Sequence, residues 1–156
     1  MSTLEKAISI AATAHEGATD KAGAPYILHP LRVMMRVEPV EAKIVAVLHD
    51  VVEDCASQGY TFEFIEAQGF GPKVMAGLRA VTKQADEAGK HSDAGYEEKY
   101  MRFVLRAARD PVGRTVKIAD LEDNCDLSRI VNPTEKDHAR VARYRQALKL
   151  IRATPQ

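Results

Sequence analysis

Ile44-Val45-Ala46-Val47-Leu48-His49-Asp50-Val51-Val52-Glu53-Asp54 sets four chemically capable side chains into an otherwise apolar run. Such a run belongs inside a domain, where an unpaired charge costs on the order of several kcal/mol. The acids therefore need a compensating partner. Read as a helix, the run places His49 and Glu53 four apart, Asp50 and Glu53 three apart, and Asp50 and Asp54 four apart, which clusters the polar groups along one flank. Imidazole and carboxylate together suit Mn²⁺, Fe²⁺ or Zn²⁺. A His-Asp doublet alone is a weak signal; its apolar setting and the Glu53-Asp54 pair that follows make this stretch a candidate reaction centre.

Outward from this stretch the chain reads as successive helices punctuated by Gly and Pro. Ser2 with Glu5 suggests a capping box for a helix ending near His15. A Gly- and Ala-rich loop follows to Ile27, and Pro30 suits the first turn of a helix through about Val37. One helix is expected over Val40 to Asp54, one capped by Thr61 and ending near Gly69, and one opened by Gly71-Pro72 that runs to about Lys83. Residues 84 to 94 are polar, without apolar periodicity, and predict a mobile surface loop. Asp93 to Asp110 is amphipathic, Pro111 starts the segment carrying Lys117-Ile118-Ala119-Asp120, and Asn132-Pro133-Thr134 introduces a last helix with a stripe of Val141, Tyr144, Leu148 and Ile151. Lys43 to Val52 and Thr115 to Ala119 are also rich in β-branched residues, so pattern alone leaves open an α/β fold with acids at strand ends.

With 156 residues and 46% hydrophobic content, the chain predicts one domain with one proper core. Lys+Arg and Asp+Glu both number 22, so no global field draws it onto nucleic acid or an anionic membrane, and an anionic ligand needs a local site. The basic residues of the last helix, from Lys136 to Arg152, fit a solvated face better than a nucleic-acid surface. Neither a signal-peptide layout nor a spanning apolar run is present, which points to the cytoplasm. Cys55 and Cys125 are read as free, packed thiols, and His91 and His138 as solvated. The sequence leaves homo-oligomerisation open.

Three further fragments bear on function: Ala14-His15-Glu16-Gly17 with Lys21-Ala22-Gly23-Ala24-Pro25-Tyr26-Ile27-Leu28-His29-Pro30; Val81-Thr82-Lys83; and Lys117-Ile118-Ala119-Asp120 with Asn124. Together with His49-Asp50 and Glu53-Asp54, in this order and spacing, they resemble the hydrolase domain of the RelA/SpoT family, within the HD superfamily of metal-dependent phosphohydrolases. The resemblance implies an all-α HD-domain bundle of about eight helices. It also implies a metal, typically Mn²⁺ or another divalent transition ion, on His29, His49, Asp50 and Asp120, with Glu53 and Asp54 as catalytic acids that orient or deprotonate water. Lys21 and Asn124 match substrate-side positions, and small stand-alone members are similar at Arg140 and Tyr144, expected to meet the phosphates of a small-molecule nucleotide. The implied reaction removes the 3′-pyrophosphate of guanosine tetra- or pentaphosphate, and the length predicts a stand-alone hydrolase.

The chain departs from the family in two places. Asp20-Lys21 stands where the family has Arg-Lys, whose Arg helps to hold guanine, and Leu121-Glu122-Asp123-Asn124-Cys125-Asp126-Leu127 stands where it commonly has Arg-Leu-His-Asn-Met-Arg-Thr. Acids near a polyanion site weaken attraction, so the alternatives are a phosphohydrolase for another nucleotide or phosphoester and a non-catalytic nucleotide-binding module.

Overall fold

The computed structural model describes residues 1–156 and is helical throughout, with no strand beyond an isolated Thr19–Pro25 bridge. Nine α-helices follow in order: α1 (Leu4–Ala14), α2 (Leu28–Met35), α3 (Val40–Leu48), α4 (Val51–Cys55), α5 (Phe62–Ala67), α6 (Pro72–Val81), α7 (Tyr96–Ala107), α8 (Pro111–Asn124) and α9 (Glu135–Ala153). The β-branched segments are therefore helical. Their branched side chains pack on every side of α3, where Ile44 to Leu48 are all buried.

The expected helix over Val40 to Asp54 is broken. His49 and Asp50 form a turn between α3 and α4, so the doublet sits at a corner rather than in a continuous spiral. At the N-terminus, Thr3 caps α1 by accepting from Lys6 N, while Ser2 turns to the Gln68 carbonyl, in place of the expected Ser2-Glu5 box. The Thr61 cap, the Pro72 start, Pro111 at the first position of α8 and a Thr134–Asp137 capping box on α9 match the sequence signals.

The core has two centres. The larger gathers α1 to α6 around α3, with Val45, Val47, Leu48, Ile65 and Leu78 fully buried. Each such side chain contributes about 1.5–3 kcal/mol of transfer free energy. The smaller joins α7 and α9 through Tyr96, Tyr100, Phe103, Ala147, Leu148 and Ile151. Helix α8 belongs to both: Val112, Val116 and Ala119 face the larger centre and Leu121 the smaller. Its approach to α6 is close enough to require glycine. A Cβ on Gly113 would lie 2.8 Å from the Ala107 carbonyl oxygen and 2.8 Å from Ala80 Cβ.

Residues 84 to 94 are more anchored than their polarity predicts. A 3₁₀ turn (Ala85–Glu87) carries its own capping box, and Glu87 is buried against Arg106 of α7. No helix is long and apolar enough to cross a membrane.

Candidate metal centre and cleft

The seam between the two centres opens as a cleft of about 530 Å³, with α2, the α3–α4 corner, α7, α8 and α9 around it. At its floor four side chains converge. His29 comes from the first turn of α2, His49 and Asp50 from the corner, and Asp120 from the buried face of α8. His29 Nε2 lies 3.1 Å from Asp120 Oδ1 and 3.8 Å from Asp50 Oδ2; His49 Nε2 lies 3.0 Å from Asp50 Oδ2 and 3.4 Å from Asp120 Oδ1. Ligands on bonds of about 2.1 Å to one ion stand about 3 to 4 Å apart, which matches these separations.

The tautomers support that fit. His29 Nδ1 is 2.7 Å from Asp123 Oδ2 and His49 Nδ1 is 2.6 Å from the Ala46 carbonyl, so both protons belong on Nδ1 and both Nε2 lone pairs face carboxylate oxygens. His49 Nε2 is buried and makes no hydrogen bond. Lone pairs facing anions require a cation between them, either a proton on each ring or a metal ion shared by the cluster. Burial opposes charge on the imidazoles, yet the acceptors Asp120 and Asp123 beside its ring nitrogens raise His29, and the charges of Asp50 and Asp120 raise His49. Burial likewise opposes charge on Asp50 and Asp120, but His49 holds Asp50 low, and Lys117 with His49 holds Asp120 low. A hard-to-borderline divalent ion suits two imidazoles and two carboxylates.

The carboxylates have further donors. Lys117 Nζ donates to Asp120 Oδ2 at 2.8 Å, and Asn124 Nδ2 to Asp120 Oδ1 at 2.8 Å. The Tyr26 hydroxyl donates to Asp50 Oδ2. Asn124, expected on the substrate side, thus reaches the Asp120 carboxylate while also lining the cleft.

Glu53 and Asp54 line the cleft next to this floor but differ in their partners. Glu53 Oε1 accepts from Lys83 N at 3.0 Å, with Lys83 Nζ 3.6 Å from Oε2. The Asp54 carboxylate, at the rim and partly open to solvent, has no such tether. Partial burial and the charges of Asp50 and Glu53 push it up to about 7. Across the cleft stand Lys21, Arg140 and Tyr144. Arg140 is held by Asp137 at 2.7 Å. Burial and then the Arg140 charge lower Lys21, while Asp137, the acid that pairs with Arg140, acts in the opposite direction. Tyr144 lies against Tyr100 and also borders the smaller core, so it serves both the stripe and the cleft wall.

The two departures have internal partners. Asp20 Oδ1 accepts from Ala22 N and Ala24 N, both at 2.9 Å, and shapes the loop before α2. The acids after Asp120 are neutralised by arginine: Asp123 by Arg32 at 2.9 Å, Asp126 by Arg129 at 2.9 Å, and Glu122 by Arg152 at 2.5 Å. Each of these acids thus has a cationic partner within the fold, while Asp20 and Asp126 also line the cleft.

Sequence reading missed Tyr26, Asp123 and His91. Tyr26 lay inside the Pro-Tyr-Ile fragment, and Asp123 follows Asp120 by one helical turn, so both had a local signal. His91, expected to be solvated, lines the cleft; Arg143 Nη1 lies 2.5 Å from its Nδ1, and burial with Arg143 lowers it to about 4. Nothing local announces that contact across 52 residues. His15 is buried outside the cleft, its ring 4.9 Å from that of Tyr26 and its Nδ1 3.8 Å from Cys55 Sγ.

No protein-family model matches the chain. It is similar to curated proteins named guanosine-3′,5′-bis(diphosphate) 3′-pyrophosphohydrolase. The one from Aquifex aeolicus is 33% identical over 125 residues, 78% of this chain and 17% of that protein; the one from Vibrio cholerae is 32% identical over 145 residues, 90% of this chain and 20% of that protein. A protein of Mycobacterium leprae named probable GTP pyrophosphokinase is 32% identical over 147 residues, 92% of this chain and 18% of that protein. The chain spans about a fifth of the length of these relatives.

Proposed function

We propose that this chain, a RelA/SpoT hydrolase-type domain, removes the 3′-pyrophosphate of guanosine tetra- or pentaphosphate at a divalent metal held by His29, His49, Asp50 and Asp120. The observation that carries the reading is the meeting of two Nε2 lone pairs and two carboxylates at the floor of a nucleotide-sized cleft. A divalent ion, Mn²⁺ by resemblance, supplies Lewis acidity toward a phosphoryl oxygen and a lowered pKa for water.

The remaining chemistry belongs to the chain. Asp54, untethered at the rim, accepts the proton of the attacking water as its oxygen bonds to the phosphorus next to the 3′ oxygen. The bond from that phosphorus to the 3′ oxygen breaks, and the oxygen takes up a proton from bulk water, releasing GDP or GTP and pyrophosphate. Glu53, fixed by Lys83, orients the water. Lys117, Asn124 and Tyr26 keep the two ligand carboxylates from turning away. Lys21 and Arg140 meet the phosphates of the bound nucleotide, and Tyr144 offers a ring and a hydroxyl beside them.

A second reading, hydrolysis of another nucleotide by the same machinery, rests on Asp20, whose carboxylate is committed to backbone N–H groups and leaves no cation at that position for the base. Mn²⁺-loaded protein incubated with guanosine tetraphosphate and a panel of other nucleotides, with pyrophosphate and phosphate measured separately, decides between them. Pyrophosphate from the guanosine substrate supports the first reading. Turnover of another nucleotide alone moves the assignment to the second, and no turnover at all overturns both.

A further inference from the structure

The metal-side imidazole of His29 is bracketed by α8. Its Nε2 faces Asp120 at 3.1 Å and its Nδ1 faces Asp123 at 2.7 Å, so one ring bridges two acids one helical turn apart. The partner helix repeats the spacing. His29 and Arg32 are three apart on α2, and Arg32 binds the same Asp123 through Nε at 2.9 Å and Nη2 at 3.0 Å. Asp123 is fully buried and does not line the cleft. A carboxylate so placed costs too much to bury without purpose unless its partners hold it, and here they are a guanidinium and an imidazole N–H. Arg129 Nη2 at 3.4 Å and Arg36 Nη2 at 3.6 Å complete the surroundings.

We infer that Asp123, held by Arg32, is a positioning residue for the metal centre: it fixes the proton of His29 on Nδ1 and aims the Nε2 lone pair at the space shared with His49, Asp50 and Asp120. The inference rests on the metal reading above. A carboxylate behind a ligand imidazole sets its tautomer and ring angle and raises its basicity. The arginine keeps the acid from rotating toward solvent or toward the site. This division of labour separates the two members of the pair. Asp123 acts on the metal through His29, whereas Arg32 acts on Asp123 and on the α2–α8 contact.

The test is Mn²⁺ titration calorimetry of purified variants, with the visible spectrum of the Co²⁺-loaded protein as a second readout. Asp123→Asn is expected to weaken Mn²⁺ binding by roughly 10- to 100-fold and to shift the Co²⁺ bands. Arg32→Gln is expected to lower the melting temperature and to weaken Mn²⁺ binding by less than Asp123→Asn does, because the acid behind His29 remains but has lost the guanidinium that holds it. If Asp123→Asn alone folds poorly, the double variant Arg32→Gln with Asp123→Asn leaves no unpaired guanidinium and is expected to show the same loss of affinity. In a His29→Ala background, adding Asp123→Asn is expected to cause no further loss. Parent-like affinity in folded Asp123 variants, or an undiminished loss in the His29→Ala background, overturns the inference. Failure of the parent protein to bind Mn²⁺ overturns the metal reading itself, and the positioning role with it.

Discussion

Arg106→Met removes the clamp that fixes one wall of the cleft, and its cost can be worked from the contacts. The guanidinium donates through Nε and Nη2 to the two Glu87 oxygens, both at 2.7 Å, and through Nη2 to the Thr82 carbonyl at 2.8 Å. Glu87's side chain is only 4% exposed, so methionine leaves a buried carboxylate without its counter-charge. Breaking one partner of such a pair costs about 3–5 kcal/mol. The Gln84 N–H, 2.9 Å from Glu87 Oε2, remains and places the expectation near the lower end. About 3 kcal/mol corresponds to a melting-temperature drop of about 6–12 °C for a chain of this size. The pH dependence carries a definite sign. Burial opposes the Glu87 charge, but Arg106 and the Gln84 N–H hold its carboxyl below the ordinary 4.5. A depressed acid stabilises the fold above its unfolded pKa, and that contribution is lost as pH falls through the folded value. In the variant, burial without the arginine favours protonation. Urea titrations at neutral pH and again below the ordinary carboxylate pKa therefore show a large deficit that shrinks on acidification. A deficit below about 1 kcal/mol at neutral pH, or one that does not shrink, refutes the buried-pair reasoning.

Three other predictions follow from the cleft and its supports. Glu53→Gln and Asp54→Asn are both expected to keep Mn²⁺ affinity and to lose roughly 10²–10⁴ in turnover, read by pyrophosphate release; full activity in either variant removes that residue from the proton chemistry. Gly113→Ala is expected to cost about 1–3 kcal/mol in denaturant titration, because its Cβ would meet Ala80 Cβ of α6 and the Ala107 carbonyl oxygen of α7, each at 2.8 Å, and an unchanged midpoint contradicts the close approach of α8 to these helices. Asp20→Arg is expected to loosen the loop before α2 by two hydrogen bonds and to shift substrate preference toward guanine; an unchanged nucleotide profile counts against a base contact at that position.

Much of the helix pattern was legible because capping and proline signals act locally: Thr61, Pro72, Pro111 and Thr134 each mark a helix start in both sequence and structure. The break at His49-Asp50 was not, because the apolar run that buries α3 continues through Val51 and Val52 without a Gly or Pro to announce it. The approach of His29 and His49 to Asp50 and Asp120 is a tertiary contact that no single-helix spacing contains, and the sequence reading named these residues only through the fragment resemblance. The partners of the acidic segment after Asp120 were hidden for a related reason. Charge counted along the sequence omits the arginines of α2 and α9 that fold against it. Arg143 reaching His91 belongs to the same class of long-range pairing.

Pulsed electron paramagnetic resonance of the Mn²⁺-loaded protein tests the central claim most directly, by resolving nitrogen couplings from ligated imidazole. The account predicts two such couplings, one lost in His29→Ala and the other in His49→Ala. Tight Mn²⁺ binding with no nitrogen coupling, or with couplings that survive both substitutions, would contradict it.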